Sequence, residues 1–178
     1  MKKILSIFTM LFAVSSCALE PATAAGPDSW GNLTIRDAVG IYNSLLVVTR
    51  PFNTVCKDGA NEKQCEKRYS FKAAVIRSLA TDMTALKPIS ERYTDHNNEL
   101  IKLYADGGQR VPDDKVSQFL QDQTEYINKT VKEAMGVELH LACVDLDDLK
   151  LEDNPEFPIV AISEMATILV QEGCKERK

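Results

Sequence analysis

Apolar residues recur every three or four positions along most of the chain, which is the spacing of one face of an α-helix. The first such stripe predicts a helix over about Ile35–Thr49. Thr34 is the predicted N-cap of this helix and forms a capping box with Asp37, and Pro51 ends the helix. Further apolar residues off the stripe indicate a central helix that is covered on more than one side. The stripe itself consists of Ile35, Ala38, Val39, Tyr42, Leu45 and Leu46.

The same spacing predicts four more helices downstream. Residues 52–61 are predicted to be a loop, because Lys57-Asp58-Gly59 is a turn signature. Pro88 separates the second helix from the third, and Gly136 is a candidate stop for the fourth. The predicted spans of the four helices are about 62–86, 89–104, 112–135 and 159–172.

Residues 137–151 have an ambiguous pattern. Val137, Leu139 and Leu141 alternate with polar residues as in a strand, whereas Val137, Leu141 and Val144 also fit a helix. No other segment alternates, and a strand without a partner is poorly stable, so helix or irregular structure is predicted. The whole pattern therefore predicts an all-α fold, a single-domain helical bundle of about five helices over 33–178.

The beginning of the chain has the pattern of an export signal. Lys2 and Lys3 precede an apolar stretch over 4–14, and small residues follow. This stretch is far shorter than the ~20 residues that cross a bilayer, and no second apolar run is long enough either. Ala22-Thr23-Ala24 predicts cleavage after residue 24, which leaves 25–32 as a flexible N-terminal segment.

A second cleavage site competes with the first. Val14-Ser15-Ser16-Cys17 resembles the bacterial lipoprotein signal, which implies removal of 1–16 and lipidation of Cys17. The protein is predicted to be exported from a bacterial cell and to be either periplasmic or anchored in the outer membrane facing the periplasm. Contact with a membrane is expected only through a lipid on Cys17.

The cysteine count adds covalent bridges to this prediction. Of five cysteines, Cys17 is removed or lipidated, which leaves an even number in an oxidising compartment. Cys56–Cys65 and Cys143–Cys174 are predicted because each pair joins near neighbours along the chain. The loop-entropy model assigns them about 3 and about 4 kcal/mol. The chain has no close CxxC pair of the kind that zinc sites use, so neither a metal nor another cofactor is predicted.

Composition and charge exclude several classes of protein. The chain is 44% hydrophobic, which is typical of globular proteins and excludes wholesale disorder. Its formal net charge of −5 and the lack of a Lys/Arg stripe disfavour binding to nucleic acid.

Candidate catalytic groups are few. His96 falls on an apolar helix stripe with Asp95 and Glu99 nearby, which would suit a hydrolase only if the three groups converged in a cleft. Structural packing of His96 is the preferred interpretation. An acidic stretch around Asp145 is similar to a calcium loop but has Lys150 where the turn glycine belongs. There is no G-x-S-x-G sequence, so the protein is predicted not to be an enzyme.

Export, disulfides and missing catalytic motifs together favour a protein-binding module. An inhibitor or immunity-like protein and an envelope assembly factor both fit this class. The candidate partner-binding residues flank the Cys56 loop, whose covalent bridge would limit the entropy lost on binding: Arg50, Phe52, Lys57 and Asp58. The alternative function is a carrier that holds a small apolar ligand in a pocket between helices.

Overall fold

Five α-helices and two small sheets make up the part of the chain that the computed structural model describes, residues 32–58, 61–105, 107 and 110–170. The fold is therefore mixed α/β, and the prediction of an all-α bundle is wrong. The predicted export signals and Cys17 lie outside the described residues, as does nearly all of the segment 25–32. The elements in chain order are α1 (Ile35–Thr49), β1 (Phe52–Asp58), β2 (Asn61–Lys67), α2 (Ala73–Tyr104), α3 (Val116–Ile127), α4 (Val131–Met135), β3 (Val144–Asp145), α5 (Ile159–Glu164) and β4 (Leu169–Val170), with a 3₁₀-helix at Leu146–Leu149.

Helix α1 begins and ends as its sequence predicts. The Asp37 backbone N–H donates to the Thr34 hydroxyl at 3.2 Å, and the Thr34 N–H donates to the Asp37 carboxylate at 3.2 Å. This capping box satisfies N–H groups that have no partner within the helix. Arg50 is extended, as expected for a residue before proline, and the helix stops there.

An antiparallel hairpin replaces both the predicted loop at 52–61 and the predicted start of a helix at 62. Strands β1 and β2 pair with Phe52 opposite Lys67 and with Cys56 opposite Lys63. Strand β2 carries polar residues on both of its faces, so it offers no apolar period for the sequence analysis to detect. Its backbone pairing with β1 and the bridge between the strands hold it in place.

The predicted second and third helices are one continuous helix, α2, with Pro88 inside it. A proline in a helix interior removes one hydrogen bond and costs about 3 kcal/mol. Here the buried stripe continues on both sides of Pro88, with Leu86 and Ile89 at most 2% exposed. Packing of this stripe, mainly against α1, outweighs the cost of the proline.

The predicted fourth helix is divided into α3 and α4. Thr130 begins α4 with its own capping box, in which its N–H donates to Glu133 at 2.8 Å. The break at Thr130 lets the backbone pair with the chain before α1, where the Val131 N–H donates to the Leu33 carbonyl at 2.8 Å. Gly136 adopts a positive φ of 68° and ends α4, at the predicted position.

The C-terminal third is less helical than predicted. Residues 137–143 have no regular structure, which agrees with one of the two options left open for 137–151. Val144–Asp145 form strand β3, which neither option predicted, because the partner strand β4 was not recognised. Helix α5 ends at Glu164 rather than near residue 172, because the chain turns so that β4 can pair in parallel with β3. The turn buries Met165 and Ile168 completely, and burial of these apolar side chains stabilises the turn relative to a longer helix.

The described residues contain one complete disulfide, Cys56–Cys65, rather than the two that were predicted. Cys143 is disulfide-bonded as well, but Cys174, its predicted partner, lies outside the described residues. The core lies between α1, α2 and the C-terminal segments. No helix in the described ranges has the length and apolar content needed to cross a membrane. The largest fully buried side chains are those of Ile35, Ile41, Leu45, Leu79, Leu86, Ile89, Leu149, Met165 and Ile168.

Candidate functional site

The hairpin of β1 and β2 stands apart from the helices in the part of the chain that the structure describes. Its strands contact each other far more than they contact any described helix. No residue of the hairpin with a described side chain is fully buried. An isolated two-stranded hairpin is marginally stable in water, so this one needs support at its tip or at its base.

The disulfide supplies support within the hairpin. Cys56 and Cys65 are bonded with their Cα atoms 5.9 Å apart, as the spacing along the sequence predicted. The register pairs Cys56 with Lys63 and Cys65 with Thr54, so the bridge runs diagonally and fixes one strand against the other. In the loop-entropy model a bridge of this length contributes about 3 kcal/mol.

The two faces of the hairpin differ in exposure. Side chains alternate between faces along a strand, and residues paired across the ladder share a face. The face with the disulfide is half-buried at Phe52, Thr54, Cys56 and Cys65. The opposite side, which we name the outer face, is exposed at every residue with a described side chain: Asn53, Val55, Glu62, Gln64 and Glu66.

Val55 lies at the centre of the outer face. It is 60% exposed and is paired with Gln64, while the next pair on this face towards the base is Asn53 with Glu66. On the other side of Val55 the same face carries Glu62. The outer face therefore presents one aliphatic side chain between two carboxylates.

An aromatic cluster fixes the base of the hairpin to the body. The ring of Phe52 stacks on Tyr69 with centroids 4.6 Å apart, and Tyr69 packs against Phe157 at 5.2 Å. The Tyr69 hydroxyl donates to the Glu156 carbonyl at 3.1 Å. Burial raises the pKa of Tyr69, and the Glu156 carboxylate adds to this effect, so the donated proton stays in place.

Asn154 completes the attachment. It is 4% exposed, its Oδ1 accepts from the Ser70 N–H at 2.8 Å, and its Nδ2 donates to the Ser70 carbonyl at 3.1 Å. The same Nδ2 lies 2.9 Å from the Leu149 carbonyl and 3.0 Å from that of Lys150. One side chain thus ties the segment after β2 to the loop before α5. We name Phe52, Tyr69, Asn154, Glu156 and Phe157 the foot of the hairpin.

The candidate partner-binding residues have different places in this arrangement. Arg50 is exposed at the end of α1. Phe52 packs in the foot, where it supports the hairpin. Lys57 and Asp58 are paired in the ladder near the tip, but their side chains are outside the described part. Val55 was not singled out from the sequence, although its position next to Cys56 places it on the face opposite the bridge.

A second exposed apolar feature adjoins the foot. Ile159 is 82% exposed and Val160 is 70% exposed, and they follow Phe157 by two and three residues. Aliphatic side chains with this exposure remain largely in contact with water, so their burial against another molecule would be favourable. They follow Phe157 of the foot directly along the chain, at the start of α5.

The histidine candidate is packed at the interface of α2 and α3. The ring of His96 stacks on that of Tyr126 with centroids 3.7 Å apart. Burial lowers the pKa of His96; Glu99 opposes this effect, whereas Arg92 and Lys129 add to it. Asp95 and Glu99 are both exposed.

His96 lines a cleft of about 210 Å³, whose other described lining residues are Leu100, Asp122, Glu125, Tyr126 and Lys129. Neither Asp95 nor Glu99 is among them. The three groups that a hydrolase would need therefore do not meet in this cleft. Its volume is below the ~300 Å³ at which ligand pockets begin.

The acidic stretch beyond Asp145 serves the fold. The Asp145 carboxylate accepts from the Asp147 N–H at 3.1 Å and caps the 3₁₀-helix, while Asp148 forms an ion pair with Lys72. Within the described ranges, no group of three or more histidine, cysteine or acidic side chains is placed to hold a metal ion.

No protein-family model, curated protein or solved structure matches this chain. The function is therefore inferred from the hairpin and its foot alone.

Proposed function

We propose that this protein is an exported cell-envelope protein that binds another protein through the outer face of its disulfide-bonded hairpin. The observation that carries the proposal is the combination of an exposed hairpin with two independent supports, the bridge and the foot. A rigid element loses little conformational entropy on binding, so more of the contact energy remains as affinity.

The chemistry of the outer face indicates what the partner offers. Val55 would enter an apolar pocket, and Glu62 and Glu66 on either side would meet basic side chains. Arg50 and the nearby Ile159–Val160 pair would enlarge the contact. A partner with a basic rim around an apolar depression fits this arrangement, as in an enzyme held by an inhibitor or immunity-like protein, or in a component of envelope assembly.

The proposed location follows from the sequence and is compatible with the structure. Disulfides persist in oxidising compartments, and Cys56–Cys65 has the exposure of a bridge that a reducing cytosol would open. The first residues of the sequence also have the pattern of an export signal. We therefore place the protein in the periplasm, or at the outer membrane through a lipid on Cys17.

Binding is favoured over the carrier function and over catalysis. A carrier needs an apolar cavity of several hundred Å³, and the cleft beside His96, formed by described residues, is smaller, at about 210 Å³. Hydrolysis would need convergent groups, and neither Asp95 nor Glu99 lines that cleft.

The test compares a substitution on the outer face with one elsewhere. Val55→Glu adds a charge to the centre of the proposed contact, whereas Ile76→Glu places the same change on α2 at a residue of similar exposure, 53%. Both variants and the wild type, oxidised and full-length after export, are used to capture proteins from envelope extracts of the source cells.

We expect the wild type and Ile76→Glu to recover the same stoichiometric partner, with at least about tenfold weaker binding to Val55→Glu. Equal recovery by all three proteins would place the contact elsewhere. Recovery of no partner at all, with a copurifying lipid instead, would favour the carrier function.

A further inference from the structure

We propose that Asp82 is a proton-operated latch that holds the irregular segment 137–143 against α2 in acid and releases it as the pH rises. This inference is independent of the partner-binding proposal, because it concerns the body of the protein and not the hairpin.

Asp82 lies in the middle of an apolar helix stripe. Its residue exposure is 0%, and its neighbours on the buried face of α2 are Leu79 and Leu86. Its Oδ1 accepts from the Ala142 N–H at 2.5 Å. Its Oδ2 is buried and has no hydrogen-bond partner in the described part of the structure. A fully buried carboxyl with half of its hydrogen-bonding capacity unused is expensive unless it is neutral.

Segment 137–143 is joined to α2 by this contact, and Cys143 at its end is held by a disulfide. It has no helix or strand of its own, and Leu139 and Leu141 are buried while His140 between them is exposed. The hydrogen bond from Ala142 to Asp82 joins its backbone to α2. The two leucines are buried in the same hydrophobic core as the apolar residues of α2.

Among the described residues, the surroundings of Asp82 offer no compensating charge. On the segment itself, Glu138 and His140 are exposed, and Glu138 is paired with Lys132 at 2.7 Å. On the next element, β3, Asp145 is half-buried and its carboxylate is engaged with the Asp147 N–H.

The helices leave Asp82 equally isolated. The buried face of α1, which packs on α2, carries no titratable side chain. The nearest charged residues along α2, Arg77 and Lys87, are exposed. Burial consequently raises the pKa of Asp82 to about 7, and the Ala142 N–H only partly opposes this shift.

The direction of the pH effect follows from this raised pKa. In the unfolded chain the carboxyl loses its proton near its ordinary pKa of 3.8, whereas in the folded protein it keeps the proton to about 7. The folded state therefore binds more protons between these values, and stability falls as the pH rises through that window. Above about pH 7 the folded protein holds a buried carboxylate, and detaching segment 137–143 gives that charge access to water.

The test measures the titration and the release separately. The carboxyl carbon of Asp82 is followed by NMR in the wild-type protein. Amide hydrogen exchange across 139–144, corrected for the intrinsic effect of pH, is compared at pH 5.0 and pH 8.5. If detachment exposes Asp82 completely, the equilibrium constant for opening of segment 137–143 should rise by about 100-fold between pH 5.0 and pH 8.5. If detachment exposes Asp82 only partly, the rise should be about tenfold.

Asp82→Asn retains an acceptor for Ala142 but removes the charge, so its corrected exchange should be the same at both pH values. Asp95→Asn, at an exposed position of the same helix, should behave as the wild type. Titration of Asp82 near pH 4, or unchanged protection of 139–144 in the wild type, would overturn the proposal. Both readouts use the wild-type protein, so the proposal stays testable even if Asp82→Asn fails to fold.

Discussion

Replacement of Asn154 by alanine tests whether the foot of the hairpin is held as described. The substitution removes the Oδ1 acceptor of the Ser70 N–H and the Nδ2 group, whose two protons are shared among the carbonyls of Ser70, Leu149 and Lys150. A typical hydrogen bond contributes about 0.5–1.5 kcal/mol net. Ser70 is exposed and can bind water instead, whereas the bond to Leu149 is buried. We therefore expect a loss of about 2–4 kcal/mol in the free energy of unfolding.

Urea unfolding followed by far-ultraviolet circular dichroism measures this loss, together with a fall in Tm of about 5–15 °C. Asn98→Ala is the matched control, because Asn98 is exposed on α2 and alanine is the better helix former. It should be neutral or slightly stabilising. A loss below about 0.5 kcal/mol for Asn154→Ala would refute the role given to this side chain.

Two further predictions concern the core and the bridge. Leu86→Ala, at a residue that is 0% exposed, should lower the free energy of unfolding by about 2–5 kcal/mol in a thermal or urea melt. Leu103→Ala, at a residue that is 67% exposed, should lower it by less than about 0.5 kcal/mol. Similar losses for the two variants would contradict the described packing. Joint replacement of Cys56 and Cys65 by serine should lower amide protection in β1 and β2 by about 100-fold and leave that of α1 and α2 unchanged, because the hairpin contacts the helices so little. Unchanged protection in the strands would show that the bridge contributes nothing to the hairpin.

The parts of the fold that the sequence predicts correctly depend on local chemistry. Thr34 and Asp37 mark the beginning of α1, and Gly136 marks the end of α4, because capping and positive φ are properties of a few adjacent residues. Cys56 and Cys65 could be paired from their separation and from the predicted compartment.

The hairpin was missed because its strands bury no apolar face. Alternating apolar residues reveal a strand only where one of its faces packs on a core. In β2 every described side chain except that of Cys65 is exposed, so no such alternation is present. The continuous helix through Pro88 was missed for the opposite reason, since tertiary packing outweighed a local signal to stop.

The foot of the candidate site could not be predicted from one sequence. Tyr69 and Glu156, which share a hydrogen bond, are 87 residues apart, and Asn154 is 84 residues from Ser70. Contacts of that separation leave no trace in local spacing. In the sequence, Asn154-Pro155 only precedes the predicted helix over 159–172, so the role of Asn154 as an anchor required the structure.

Site-specific photocrosslinking in the source cells tests the central proposal most directly. A photoreactive amino acid replaces Val55 on the outer face in one variant, and Leu103 on α2 in the other; both positions are well exposed. Contact through the outer face predicts one discrete protein adduct from position 55 and none from position 103. If position 55 yields no adduct, or both positions yield the same adducts, the hairpin is not the binding surface.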